Sequence, residues 1–461
     1  MTVPTSTPQG ARRIRPREFL VLVSLAIGMG CGPAEPSTAY VGATVWDGTA
    51  GAPILDAAIV VRGGRIERIG PAASVAIPRN AEVVRLDGTW VIPGLIDAHT
   101  HAERWTLNRF LAYGVTSVRD VGGVLDSIVT LRDEVQLNTT LGPRMFIAGA
   151  MIDGPPATRP DAIEVATAEQ ARQAVDRLVT LNASHVKLYT RIDEPLLRAV
   201  LDEAQALDVP VTAHLGKVDA VTAASLGLNA IEHMTGVVEA SVSRPEAYFN
   251  AHDDFFTGWN RTEYDWATLD SAAIEGTIRE LLNHGVTIVP TLALHEAYSR
   301  LTDAAYIARL DLSGVPLDVQ IGWDIPDLVR RAGLTATDLA NLRRARAYQD
   351  RFVRYFNRAG GDIAAGSDSP NQLLPPGASL HDELQLLVRA GLSPRDALLA
   401  ATRTPARLIR ADSLGVLRSG AVADFVVLNA DPLLDIANTR RIDRVVFRGI
   451  VYAPAELMVW N

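Results

Sequence analysis

The stretch Val91-Ile92-Pro93-Gly94-Leu95-Ile96-Asp97-Ala98-His99-Thr100-His101 reads as a buried strand that ends in His-x-His. Val91, Ile92, Leu95 and Ile96 are apolar, and a Pro-Gly step interrupts the run. In an extended chain, residues two apart leave the same face, so His99 and His101 project together from the strand end. Two imidazoles side by side can hold one divalent metal, commonly zinc, at about 2.0–2.1 Å per nitrogen. A lone pair of histidines carries little weight, so the rest of the chain must decide.

On either side of this strand the pattern changes. From Ala39 to Trp90 the sequence shows short β-strands near 40–45, 58–62, 65–69 and 82–86, each followed by Gly, Pro or Asp turn residues. Similar segments close the chain at 423–428 and 445–452. Two β-rich ends around an α/β middle predict one small sheet domain built from both termini. The middle alternates strands and helices, the sign of βα units and a parallel sheet. Strands are expected near 91–99, 114–121, 144–151, 184–190, 209–215, 229–234, 286–293 and 362–368. Eight strands over about 280 residues suit a (β/α)8 TIM barrel. Helical spacing covers 167–182, 193–207, 270–284, 340–359, 378–391 and 394–410. Residues 237–269 do not fit a helix; they are rich in aromatics and follow strand six. In a barrel that segment lies over the active-site face, as a substrate lid or as an aromatic cluster packed on the barrel. Residues 296–340 form a second long insertion with no legible chemistry.

Composition narrows the function. The 461 residues are 48% hydrophobic, enough for a barrel and an appended domain. A net charge of −9 argues against nucleic acid as a partner. The single cysteine, Cys31, excludes internal disulfides and thiolate zinc sites. Of 44 basic residues only Lys187 and Lys217 are lysines. A lysine amine can lose its proton and react where arginine cannot, which directs attention to Lys187. Residues 1–18 are polar and basic, and the apolar run 19–30 is shorter than the ~20 residues that span a bilayer. Residues 1–31 therefore read as a signal peptide, with Cys31 resembling the lipid-modified cysteine of a bacterial lipoprotein. Export to the periplasm or cell envelope follows, with membrane contact only through a lipid anchor at Cys31. The expected organisation is signal 1–31, linker 32–38, β-sandwich 39–90, barrel 91–412 and β-sandwich 413–461.

Barrel chemistry sits at the C-terminal ends of the strands. There the sequence puts His99 and His101 on strand one, Lys187 on strand four and His214 on strand five. His233 ends strand six and Asp368 ends strand eight. Each follows an apolar run, where a charged group is costly unless paired.

Pro93-Gly94-Leu95-Ile96-Asp97-Ala98-His99-Thr100-His101, Lys187, His214, His233 and Gly366-Ser367-Asp368 together resemble the amidohydrolase superfamily. The likeness covers nearly the whole chain after residue 38. Tyr113-Gly114-Val115-Thr116-Ser117-Val118-Arg119-Asp120-Val121-Gly122-Gly123 and Val186-Lys187-Leu188-Tyr189 resemble its imidazolonepropionase-like and prolidase-like hydrolases. This resemblance implies two divalent metal ions, expected to be zinc. His99, His101 and Asp368 would hold the more buried ion, and His214 and His233 the more exposed one. Lys187, carboxylated by carbon dioxide, would bridge them as a carbamate. Asp368 would be the catalytic residue, taking a proton from the attacking water and returning it to the leaving amine. Arg119, Tyr189 and His295 are the candidate substrate contacts.

The expected activity is a binuclear metal-dependent hydrolase of amide bonds in small molecules. Its substrates would be dipeptides of the Xaa-Pro or Xaa-basic type, or N-acyl amino acids. One alternative is a mononuclear deaminase or cyclic-amide or lactone hydrolase of the same superfamily; Lys187 counts against a deaminase. The other is a non-catalytic envelope binding protein on an inherited barrel. Assembly into a homo-oligomer is left open by the sequence.

Overall fold

The computed structural model describes residues 36–458. The signal and lipid-anchor expectations for residues 1–31 lie outside the described residues. Among the described residues no helix is long and apolar enough to cross a membrane.

Both chain ends contribute to one eight-stranded sheet. Its N-terminal members are Ser37–Val45, Ile54–Arg62, Arg65–Pro71, Glu82–Arg85 and Trp90–Pro93. Phe425–Leu428, Ile442–Phe447 and Ile450–Tyr452 complete it. Ile54–Arg62 and Arg65–Pro71 form a hairpin closed by Gly63-Gly64, with φ of 55° and 70°. Positive φ at both central residues matches the right-handed twist of the flanking strands, and glycine adopts it without penalty. Ser37–Val45 pairs along one edge with Glu82–Arg85 and then with Trp90–Pro93. The two arms enclose a shared core of Tyr40, Val45, Ile59, Phe425, Val427 and Val446. Tyr40 meets Phe425 edge-on at 5.1 Å, joining the two ends of the sequence.

The expected single strand 91–99 is two strands. Trp90–Pro93 pairs with Phe425–Leu428 in the end sheet, and Leu95–Thr100 starts the barrel. Gly94 is the crossing point. A Cβ there would lie 2.1 Å from Thr116 Oγ1, so the chain can pass against the neighbouring strand only without a side chain.

The barrel runs in parallel order through Leu95–Thr100, Val115–Asp120 and Arg144–Ile147, and then through Val186–Leu188, Val211–Ala213, Ala230–Glu232 and Thr287–Val289. Ser184 N–H to Ile147 O (2.9 Å) and Tyr189 N–H to Ile152 O (2.9 Å) join strands three and four. The eighth position, 362–368, is reduced to short bridges. Ala364 N–H donates to Ile288 O and Ala98 N–H to Ala365 O, which closes the ring. Ala98, Ala230, Val289 and Ala364 pack together inside it.

Residues 237–269 are helical, correcting the expectation drawn from their sequence. They form Val237–Ala240, Glu246–Ala251 and Phe255–Asp265. Asp254 caps the last of these by accepting from Thr257 N–H at 2.9 Å. Its buried face carries Asn260, Thr262 and Glu263, which removes the apolar periodicity that betrays a helix. Those groups are hydrogen-bonded: Asn260 to Ala332 O and Tyr298, Glu263 to His295 and Gln349. The 296–340 insertion holds Ala304–Ile307, Leu317–Gly322 and Ile325–Arg331, then enters the long helix Ala336–Arg358.

Candidate active site

Strand one delivers His99 and His101 as its residues alternate. Their rings sit 5.5 Å apart, and both Nε2 atoms face Asp368 Oδ1, at 3.1 and 3.2 Å. His233 lies 4.5 Å from His99 and 4.9 Å from His214, centroid to centroid. One ligand atom each of His99, His233 and Asp368 lies within 4.8 Å of the others. His99, His101, Lys187, His214, His233 and Asp368 line one cavity of about 290 Å³.

The outward nitrogens fix the imidazoles. His99 Nδ1–H donates to Glu232 Oε2 at 2.6 Å, and His101 Nδ1–H to Gly122 O at 2.7 Å. His233 Nδ1–H donates to Thr291 Oγ1 at 2.7 Å, whose own hydroxyl donates to Pro290 O. Each such bond places a proton on the outer Nδ1 and turns Nε2 toward the cavity, the orientation that metal-binding histidines require. His214 Nε2 and Lys187 Nζ are buried without a hydrogen bond among the described residues. Burial holds His214 and His233 well below the ordinary histidine range, so both are neutral. Burial also pushes the Lys187 amine down to about 8. Burial would raise Asp368, but His99 and His101 outweigh it and hold the carboxyl well below its usual range.

Strained backbone supports this geometry. His233, Thr291 and Asp368 have φ of 57°, 46° and 58°. Positive φ is uncommon for any side chain and an outlier for β-branched threonine. Such strain costs about 1–3 kcal/mol per residue and concentrates where a side chain must be aimed. Asp368 N–H to His99 O (2.8 Å) and the Thr291–His233 bond hold two of these turns.

Two expected substrate contacts lie elsewhere. Arg119 is buried beneath the site, donating to Ala98 O at 2.8 Å and Glu232 Oε1 at 2.9 Å. It cannot reach a substrate because strand two directs it under the metal-facing layer. His295 stacks behind Trp259 (5.5 Å, 10°), its Nδ1 lying 3.0 Å from the Glu263 carboxylate and 3.3 Å from the Gln349 NH2, so the indole stands between it and the cavity. Tyr189 does line the cavity, 5.0 Å from His214. Sequence reasoning assigned no role to Glu232, which joins Arg119, Thr212 and His99 under the site. A charged residue within the apolar run Ala230-Ile231-Glu232 was the available signal.

The walls come from the inserted segments. Phe255, Phe256 and Trp259 supply one side, Leu301, Leu328 and Arg331 another. Four inward imidazoles, a buried amine and a carboxylate at the floor of an apolar cleft are donors suited to divalent metal.

Comparison with known proteins agrees with this chemistry. Over 400 residues the chain is 26% identical to the imidazolonepropionase of Chromobacterium violaceum, covering 80% of this chain and 84% of that one. The crystal structure of a putative prolidase from Bifidobacterium longum superposes with a TM-score of 0.69 at 28% identity, covering 91% of this chain and 95% of its own. A Xaa-Pro dipeptidase with bound methionine superposes with a TM-score of 0.66 at 19% identity, covering 90% and 99%, a likeness of fold. The profile of the amidohydrolase family matches residues 90–451, from the last strand before the barrel to the last strand of the end sheet. With that match spanning both the barrel and the sheet that embraces it, the chain belongs to the amidohydrolase family, hydrolases that generally use divalent metals.

Proposed function

We propose that this protein is a binuclear metal-dependent hydrolase of amide bonds in small substrates, dipeptides or N-acyl amino acids. The observation that carries this is the shared orientation of the imidazoles. His99, His101 and His233 each spend Nδ1 on a neighbour and turn Nε2 toward Asp368 and the orphaned Lys187 amine. His99, His101 and Asp368 would hold one ion, and His214 and His233 the other. With its amine pushed down to about 8, Lys187 is neutral often enough near pH 7–8 to add carbon dioxide. The carbamate would supply one negative charge shared by two oxygens among the imidazoles, where a bare ammonium would repel dications. Bound metal would supply an activated water and polarise the scissile carbonyl. Asp368, ionised at neutral pH, would accept the proton of the attacking water and return it to the leaving nitrogen. Phe255 and Trp259 would keep bulk water from the reacting atoms. Export to the cell envelope is part of this proposal and rests on residues 1–31 alone.

A mononuclear enzyme is the second reading, favoured by the close approach of His99, His233 and Asp368. Elemental analysis of protein purified without chelator separates the two, alongside Lys187→Ala. About two divalent ions per chain, with marked loss in the variant, is the expected result. About one ion, unchanged by the substitution, would sink the bridged centre.

A further inference from the structure

The 296–340 insertion is the segment whose sequence carried no chemistry, yet it builds part of the cavity. Its residues Leu301, Leu328 and Arg331 line the cleft beside Phe256 and Trp259 of the 255–265 helix. The Arg331 guanidinium lies 5.9 Å from the Phe256 ring centroid. Its Nε donates to Asp327 at 2.6 Å, which orients the side chain and leaves both Nη groups to other partners. A second arginine, Arg159, lines the same cavity from the loop after strand three. Asp161 takes its Nε (3.1 Å) and Nη2 (3.3 Å), leaving Nη1. Against these two guanidinium groups the cavity lining contains one carboxylate, Asp368, already engaged with His99 and His101. The walls are thus apolar, and the charged groups at the cavity surface are mainly guanidinium, each held by a carboxylate on its outer side and offering its remaining N–H groups elsewhere. A lysine or arginine side chain entering the cavity would face like charge and find only the neutral acceptors of Asn371, Gln372, Tyr189 and Tyr298. A carboxylate beside an aromatic or aliphatic body would find donors and apolar surface together.

We propose that the insertion is a specificity wall. It shapes a compartment for a large apolar side chain, and Arg331, with Arg159, selects leaving amino acids that carry a free carboxylate and rejects basic ones. This rests on the hydrolase proposed above, and it removes Xaa-basic dipeptides from that enzyme's expected substrates. Arg331 and Arg159 are about half exposed as side chains, at 52% and 46%. Solvent therefore screens them, and each should contribute a modest factor in recognition.

The test uses the full metal-loaded protein and three compounds: N-acetyl-L-phenylalanine, its primary amide and N-acetyl-L-arginine. Acetate release is measured for the parent, Arg331→Gln and Arg159→Gln. The parent should favour the acid over its amide by roughly tenfold in kcat/KM, and over the arginine derivative by more. Arg331→Gln should shrink the acid-to-amide ratio by roughly fivefold, mainly through KM, with metal content and melting temperature unchanged. Equal kcat/KM for acid and amide, or a ratio indifferent to both substitutions, overturns the proposal while leaving the hydrolase standing. If no compound is hydrolysed, calorimetric binding of N-acetyl-L-phenylalanine decides. Binding that weakens in Arg331→Gln supports the recognition and locates the failure in the hydrolase reading; absent binding overturns both.

Discussion

Replacing Glu232 by glutamine removes one charge from the layer beneath the site and nearly nothing else. Glu232 is fully buried and accepts from Arg119 (2.9 Å), from His99 Nδ1–H (2.6 Å) and from the Thr212 hydroxyl. At an effective dielectric near 20, a 2.9 Å ion pair is worth about 6 kcal/mol of Coulomb attraction. Burying both charges offsets much of this, but removing one partner strands the other. Arg119 is 1% exposed, and its remaining acceptor on that nitrogen is the Ala98 carbonyl. Breaking a buried pair this way costs about 3–5 kcal/mol. The glutamine NH2 must also face either Arg119 or His99 Nδ1–H, donor against donor. Loss of the carboxylate behind His99 should weaken metal binding roughly 10- to 100-fold. Burial would raise the Glu232 carboxyl, but Arg119, Lys187 and His99 outweigh it and hold it well below its ordinary value. A depressed carboxylate stabilises the fold fully above its unfolded pKa and loses that contribution as pH falls through the folded one. The penalty should therefore be complete at pH 7 and shrink only in strong acid. Urea unfolding of metal-free protein at pH 7, with elemental analysis of the loaded form, measures both effects. An unchanged midpoint together with full metal occupancy would refute the argument.

Glu383 offers a contrasting pH dependence: burial pushes its carboxyl up to about 8, while it accepts Ala293 N–H at 2.7 Å. Because the folded protein holds that proton more tightly than the unfolded chain, stability should fall as pH rises from about 5 to 8. Glu383→Gln should flatten this slope, so the melting temperature of the variant relative to the parent should climb between pH 6 and 9; a constant difference would contradict it. Gly366→Ala would put a Cβ 2.6 Å from His99 Cβ and 2.9 Å from Val289 Cγ1, forcing His99 to shift. Overpacking there should cost about 1–3 kcal/mol in stability and a larger loss in metal content, and wild-type metal content would count against the close fit.

The barrel was legible because its strands are apolar runs with polar residues at their C-terminal ends, and the two-residue period alone brought His99 and His101 together. The Gly94 break was not, since apolar residues continue on both sides of it and only pairing reveals two sheets. The inserted helices hid because the buried face of 255–265 is polar and satisfied by partners far away in sequence, such as Ala332 and Gln349. Reach defeated two of the three substrate contacts. Arg119 turns under the site to Glu232, and His295 is screened by Trp259, facts set by packing rather than by spacing.

The pairing of Trp90–Pro93 with Phe425–Leu428 bears on how the molecule is made. A ribosome delivers the first strand long before the last, so the edge of Trp90–Pro93 waits through synthesis of the entire barrel with its hydrogen-bonding groups open. Closure of the sheet must wait for the later strand, and contacts so distant along the chain are slow to form. Until then the exposed strand edge is a template for other chains. Truncation after the barrel would make that interval permanent, so the clipped form should scatter more light than the full chain at equal concentration.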